Sequence, residues 1–316
     1  MNQRQAITAA VAAIGIILAA PVPAAQQAYA GLRVTGLFGA TVFSDSVTTN
    51  TTGTPGASAS LNPALNYVDV GALGFARPGL LRVYAKADSN VPGSDNLRTQ
   101  VASAEARWTT SAVMNVPGVA PGTAGMATAR LSFDGALFWD HQGTNALYRG
   151  VGRLYGDFSV GGARSTAQYA GRFQWDTGSG FWRVTRSRSG ESDVDVVDTD
   201  SPSGAGGYGF NEVLEVTFPF VTGQAVDIRA YMSARGESAS SRSGAGLDWT
   251  SDAGNSAYWQ GISNVSIGGQ PVDSFSFLDT GTGEELALAT PIPLPAPLAL
   301  FAAGMALVSG AARRRH

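Results

Sequence analysis

Cysteine is absent from the 316 residues of this chain. Its absence excludes disulfide cross-links, thiolate metal sites and cysteine nucleophiles. Histidine is nearly absent as well, since it occurs only as His141 and the terminal His316. A lone internal histidine cannot supply the several imidazole ligands of a catalytic zinc site. Zinc hydrolysis of the multi-histidine type is therefore excluded.

Positive charge is also scarce. Lys86 is the only lysine, and the formal net charge is −3. Without Arg4 and the three arginines at 313–315, 17 basic residues remain against 24 acidic ones, a net charge of −7. A nucleic-acid-binding domain concentrates positive charge on one face to neutralise phosphates. The composition therefore argues against a nucleic-acid partner.

The first 30 residues have the features of a secretory signal peptide. A short basic start with Arg4 is followed by an apolar run at residues 6–20 and by the small-residue motif Ala28-Tyr29-Ala30. This order is typical of a segment that is removed during export. We expect cleavage between Ala30 and Gly31, with a second possible site after Ala24, and we expect a Sec-type export machinery as the partner.

The other end of the chain, residues 289–316, divides into three different pieces. Prolines alternate with other residues over 291–297, which favours an extended segment open to recognition. Residues 298–312 carry no charge and predict a hydrophobic helix, somewhat short for a hydrocarbon core of about 30 Å. Arg313, Arg314 and Arg315 form a basic cluster, followed by His316, that stays on the cytoplasmic side.

This tail carries a resemblance to a known family of signals. The sequence Ile292-Pro293-Leu294-Pro295-Ala296, followed by the apolar run and the arginine cluster, resembles the VPLPA-type branch of the PEP-CTERM sorting signals. Ile292 replaces the usual valine. The resemblance implies an exosortase, a membrane-embedded protease, as a partner that removes the tail and delivers the protein to the cell surface. The alternative is an uncleaved single-span anchor.

Between the two ends, residues 31–288, hydrophobicity alternates with a period of two rather than 3.6 residues. The alternation is clearest over residues 127–137, 167–175, 214–220 and 226–235. One buried and one solvated face per strand is typical of antiparallel sheets. We therefore expect an all-β body, an antiparallel β-sandwich of jelly-roll-like form.

One stretch of the body has almost nothing to bury. Residues 45–60 are rich in threonine, serine and glycine. Such a composition predicts a mobile surface loop, and O-glycosylation of that loop is an alternative interpretation.

A group of carboxylates suggests calcium. Asp193, Asp195, Asp198 and Asp200 lie close together in a stretch flanked by glycine and serine. Oxygen ligands at short spacing on a flexible loop suit calcium, although the spacing is not that of an EF-hand. We expect at most weak calcium binding here, against the alternative of a solvated acidic turn, and no other cofactor.

Two aromatic pairs suggest sugar contacts. Phe181-Trp182 and Tyr258-Trp259 each place two rings next to each other on a strand. Because neighbouring strand residues point to opposite faces, one ring of each pair should be exposed. Trp182 and Trp259 are therefore candidate carbohydrate-stacking residues.

These features favour a non-enzymatic exported protein with a structural or interaction role. The resemblance of the tail implies the envelope, the exopolysaccharide matrix or a biofilm as its location. One alternative is a lectin-like carbohydrate-binding module. Another is a secreted carbohydrate-active enzyme using two of the acids Asp134, Asp140, Glu212 and Glu215, whose separation decides such chemistry. No catalytic residue is assigned.

Overall fold

The computed structural model of the chain describes residues 25–35, 41–52, 57–61, 71–88, 98–142, 148–176, 179–189, 194–200, 205–240 and 246–288. Residues 1–24 and the sorting tail, 289–316, lie outside the described residues. No helix within the described ranges is long and apolar enough to cross a membrane.

The described ranges contain sixteen strands. In chain order they are β1 (Ala25–Thr35), β2 (Thr41–Thr52), β3 (Ala57–Leu61), β4 (Gly71–Arg77), β5 (Leu80–Asp88), β6 (Arg98–Asn115), β7 (Ala124–Gln142), β8 (Tyr148–Val160), β9 (Ala163–Asp176), β10 (Ser179–Arg188), β11 (Val194–Asp200), β12 (Ala205–Val221), β13 (Ala225–Ser240), β14 (Gly246–Ile267), β15 (Gln270–Pro271) and β16 (Ser276–Asp279).

The strands pair into two antiparallel sheets. A nine-stranded sheet has the order β11-β10-β9-β8-β13-β6-β1-β2, with β16 also pairing with β6. A seven-stranded sheet has the order β12-β7-β14-β5-β4-β3, with β15 pairing with β14. The all-β, antiparallel class predicted from the two-residue alternation is confirmed.

One face of each sheet is buried against the other, so that a single hydrophobic core lies between them. The four stretches of predicted alternation lie in β7, β9, β12 and β13. Their inward residues are buried, which confirms the predicted faces; examples are Leu131, Phe133, Tyr169, Phe173, Phe218, Ile228 and Met232.

The core changes character from one side of the sheets to the other. Around β7, β9 and β12 it is filled by large rings such as Phe133 and Tyr169, whereas β1, β3, β4 and β6 supply mainly alanines. Small side chains allow the sheets to approach each other. At Gly74 a Cβ atom would lie 2.7 Å from the carbonyl oxygen of Tyr29 in the facing sheet, so the two backbones are nearly in contact there.

Strand β1 is an inner strand of its sheet, between β6 and the edge strand β2. Ala28 pairs with Ala106 and Ala30 with Ala104, and Ala28 and Ala30 are fully buried. The folded body therefore includes residues that the sequence interpretation placed in the signal peptide. The reason is that small apolar residues suit a close-packed core as well as a cleavage site.

The expected loop at residues 45–60 requires a correction. Residues 45–52 belong to β2, which pairs with β1 along its length, and residues 57–60 belong to β3. Threonine is β-branched and fits a strand even where it is exposed. The prediction of a loop from the polar composition of this stretch was therefore wrong.

The last described residues, 276–288, close one end of the sandwich by bonding to both sheets. Strand β16 pairs with β6 in the nine-stranded sheet. The carbonyl oxygen of Ala287 accepts a hydrogen bond of 3.0 Å from the amide of Ile262 in β14, and the indole N–H of Trp259 donates to the carbonyl oxygen of Leu286 at 2.6 Å. Leu288, the last described residue, is 74% exposed.

Candidate ligand-binding site

The residues predicted from the sequence fall into different parts of the structure. The sorting motif, Ile292 to Ala296, and Arg313 to Arg315 lie outside the described residues. The predicted cleavage motif, Ala28 to Gly31, lies inside β1.

The acidic group proposed for calcium is on a strand rather than a loop. Asp193 lies outside the described residues, while residues 194–200 form β11 at the edge of the nine-stranded sheet. The register places Asp198 opposite Arg183 and Asp195 opposite Thr185. Three valines in this stretch favour the strand. Among the side chains that the structure describes, which do not include those of β11, no group of three or more metal-ligating residues is present.

The two tryptophans proposed for sugar stacking are both in the core. Trp259 is fully buried and Trp182 is 6% exposed, and Trp182 packs against Trp139 with ring centroids 5.9 Å apart. Alternation was correct for the first pair, in which Phe181 is half-buried under Arg172. The larger ring faces inward because it buries more apolar area.

The four acids considered for glycoside hydrolysis do not form a single site. Glu212 faces the nine-stranded sheet. Asp134, Asp140 and Glu215 lie on the opposite, outer face of their own sheet. There Glu215 accepts a hydrogen bond from Arg130 at 2.7 Å, and Asp134 accepts one from Ser132 at 3.2 Å. Burial raises the pKa of Asp134, and the hydrogen bond from Ser132 opposes that rise.

Glu212 instead links the two sheets through hydrogen bonds. Its carboxylate accepts from the buried hydroxyl of Tyr169 at 2.6 Å and from Arg186 at 3.1 Å, with Arg188 3.6 Å away. The ring of Phe210 stacks on Tyr169. Burial, reinforced by the neighbouring carboxylate, raises the pKa of Tyr169 far above its usual value. This arrangement is structural, since its polar atoms are engaged with one another.

The raised pKa of Tyr169 predicts a loss of stability in alkali. The folded state keeps a proton that the unfolded chain loses near pH 10, so the contribution to stability is complete below pH 10 and declines as the pH rises above it. We expect Tyr169→Phe to be less stable than the wild type at pH 7 but to lose less of its stability between pH 9 and pH 11. Urea unfolding at several pH values measures this difference. Parallel pH profiles for the two proteins would contradict it.

Two cavities of the described residues lie on the outer face of the nine-stranded sheet, where no site was predicted from the sequence. One depression of about 490 Å³ is formed by β1, β2, β6, β8 and β13. A second of about 410 Å³ adjoins it and shares Arg107 and Tyr231 with the first. Together they form one groove, called here the outer-face groove, of a size typical of ligand sites.

Tyrosine rings line this groove. Gly31 has no side chain, and the ring of Tyr29 occupies the space above it, so that a Cβ atom at Gly31 would collide with the phenol. Two strands away, Tyr231 lies 6.0 Å from Tyr155, with the rings tilted by 58°. All three rings are partly exposed. The face therefore offers aromatic surfaces that are not part of the core.

Charged side chains surround the rings. Lining the two depressions are five arginines and three carboxylates, giving a local charge of +2; they are Arg107, Arg153, Arg164, Arg229, Arg235, Glu105, Asp157 and Asp227. Arg164 is paired with Asp157, and Arg229 is 4.0 Å from Asp227. Within the described part of the chain, no carboxylate lies within 4.0 Å of Arg107 or Arg153.

Tyr155 and Tyr231 remain protonated at physiological pH. Burial, with a contribution from Glu105, raises the pKa of Tyr231 to about 12. Burial also raises the pKa of Tyr155, with a further contribution from Asp157. Both hydroxyls therefore keep their protons, and that of Tyr155 donates a hydrogen bond to Asp157 at 3.3 Å.

A signal for this groove was present in the sequence. The outward positions of β13 read Asp227, Arg229, Tyr231, Ser233 and Arg235, so a tyrosine lies among charged residues on one face of a strand. The sequence did not show the strand order, which brings β1 and β8 to the same face as β13.

Comparison with protein-family models, curated proteins and solved structures finds no match for this chain.

Proposed function

We propose that this chain is an exported protein that is processed by an exosortase-type protease and has a structural or interaction role in the envelope or the exopolysaccharide matrix. The proposal includes a jelly-roll-like sandwich, which is supported by the connections from β5 to β8 that pass repeatedly between the sheets. The tail motif of the chain resembles the sorting signals, and the all-β body is compatible with a passive, non-enzymatic role.

The observation that supports this proposal most directly is the exposure of the last described residue. Leu286 and Ala287 are hydrogen-bonded to Trp259 and Ile262, while Leu288 is exposed. The proposed tail therefore starts next to an exposed residue. Such a junction suits a segment that is recognised by a membrane protease and then removed.

The N-terminal boundary is part of the same proposal. Cleavage after Ala30 would remove six residues from β1, including the buried Ala28. Cleavage after Ala24 leaves the strand whole. We therefore favour the second of the two sites, with Ala25 as the first residue of the mature protein.

Substitution in the tail motif tests the proposed processing. We expect Pro295→Ala to leave the protein in the membrane fraction with its tail attached, because the extended, proline-fixed motif is what the protease would bind. Pro271→Ala is the matched control, since Pro271 is an exposed residue of β15. Immunoblots of membrane and surface fractions measure the distribution. Normal release of the Pro295→Ala protein would contradict the proposal and favour a plain anchor.

A second candidate function is the lectin-like module, and the outer-face groove favours it. The groove has aromatic rings, arginines and carboxylates within reach of one ligand. Weak calcium binding near β11 belongs to this candidate and is checked by comparing sugar binding with and without a chelator. Release of reducing ends from the bound polysaccharide would instead support the enzyme alternative.

A further inference from the structure

We propose that the outer-face groove binds a segment of an anionic polysaccharide, one whose sugar rings carry carboxylates. The inference rests on the proposed function, because it identifies what an exported matrix protein would hold. It concerns the face formed by β1, β6, β8 and β13, which lies away from the seven-stranded sheet.

The rings provide the first part of the argument. A tyrosine combines an apolar ring face with a polar hydroxyl, and a sugar ring likewise combines a face of C–H groups with a rim of hydroxyls. Tyr29 is held along its strand over Gly31. Tyr29 and Tyr155 are three strand spacings apart in the sheet, about 14 Å, with Tyr231 on the strand next to Tyr155. A chain of several sugars can therefore contact rings at both sides of the groove.

Charge gives the second part. The groove has a local charge of +2 on a chain whose formal net charge is −3. All of its cations are arginines, whose planar guanidinium groups bind carboxylates through two hydrogen bonds. Arg107 and Arg153 have no carboxylate partner among the described residues. These two side chains are thus the ones that can receive an acidic sugar without breaking an existing ion pair.

The carboxylates of the groove favour a polysaccharide over DNA. Glu105 lies between Arg107 and Ser103 on β6, and Asp157 lies opposite Tyr231. Carboxylates accept hydrogen bonds, and sugar hydroxyls donate them. A DNA backbone has no hydroxyl donors, so these carboxylates would repel its phosphates without any compensating bond. The mixed charge therefore suits a ligand that carries both hydroxyls and acids.

Binding assays on the full-length chain in mild detergent test the inference. The probe is a fluorescent oligogalacturonate, and the comparison arms are a neutral maltodextrin of similar length and single-stranded DNA. We expect binding of the oligogalacturonate that weakens as salt is added, and much weaker binding of the other two. Equal binding of maltodextrin or of DNA would overturn the assignment.

Two variants locate the site. Arg107→Gln combined with Arg153→Gln should lower the affinity by at least about tenfold, which corresponds to about 1.4 kcal/mol, because each removes a charge-assisted hydrogen bond. The matched control is Arg130→Gln combined with Arg77→Gln, which removes the same charge on the outer face of the other sheet and should change the affinity less than about twofold. A similar loss of affinity in the test variant and in the control would overturn the location of the site in the outer-face groove.

Gly31→Ala gives an independent test that does not change charge. The added methyl must displace the ring of Tyr29, while the backbone of the strand can accept alanine. We expect weaker oligogalacturonate binding with an unchanged unfolding temperature; unchanged binding would overturn the role of this ring.

If the chain is processed and delivered to the surface normally yet binds no oligogalacturonate, the groove assignment fails and the proposed function stands.

Discussion

Replacing Trp259 by alanine lowers the free energy of unfolding by about 3 to 5 kcal/mol, the usual cost of removing a large ring from a core. Trp259 is fully buried and packs edge-on against Trp108 and Phe158, with ring centroids 5.9 and 5.8 Å away. Its indole N–H also holds the carbonyl oxygen of Leu286. The substitution therefore loosens the C-terminal segment together with the core, and limited proteolysis should cleave residues 276–288 first.

Trp259→Phe separates these two effects. It keeps most of the ring packing but loses the hydrogen bond to Leu286, for which we expect a cost of about 1 to 3 kcal/mol because a buried carbonyl loses its partner. Chemical denaturation of both variants measures the difference. Equal losses in the two variants would show that the hydrogen bond, rather than the packing of the ring, accounts for the role of Trp259.

Replacing Gly74 by valine is expected to destabilise the body by about 3 kcal/mol or more, at the upper end of the cost of overpacking a core. A side chain at this position would meet backbone atoms, the carbonyl oxygens of Glu105 and Tyr29. Backbone in the middle of a sheet cannot move aside as a flexible side chain can. The sheets would have to separate, which would also disturb the alanine-rich part of the core.

Gly71→Ala is the matched control for this prediction, because Gly71 belongs to the same strand, β4. There the nearest atom to an added Cβ is Tyr84 Cε1 at 3.6 Å, an ordinary contact. We expect a change of less than about 0.5 kcal/mol, as at most surface positions. If Gly71→Ala and Gly74→Val lower the unfolding temperature equally, close approach of the sheets at Gly74 is not the cause.

The strands that could be predicted from sequence are those that alternate strongly. In β13 the buried Ile228, Ala230 and Met232 alternate with charged or polar residues, and this pattern is enough to assign both the strand and its faces. The class of the fold follows from several such strands. Strand order does not, because it depends on contacts between residues far apart in sequence.

Residues 25–30 of β1 and 45–52 of β2 were assigned to a signal peptide and to a loop, for different reasons. Ala28 and Ala30 fit a cleavage site by their small size, and the same property fits the narrow part of the core. The exposed threonines of β2 resemble a loop in composition, and only their pairing with β1 makes a strand of them. Local sequence does not distinguish these possibilities, since the deciding interactions are tertiary.

The candidate site could be predicted only in part. Exposed rings for sugar contacts were expected at Trp182 and Trp259, which the core buries. The tyrosines of the groove are partly exposed; Tyr29 is one of them, because its strand alternates against a buried alanine face. The tryptophans were chosen because their rings are large, whereas the exposure of a ring depends on which face of its strand meets the other sheet.

The intact mass of the protein recovered from the cell surface tests the central claim most directly. The account predicts a chain that begins at Ala25, with β1 complete, and that has lost the arginines at 313–315. Both ends are read from one spectrum, and peptide mapping assigns them to the residue. A surface protein that retains Arg313 to Arg315 would contradict the account.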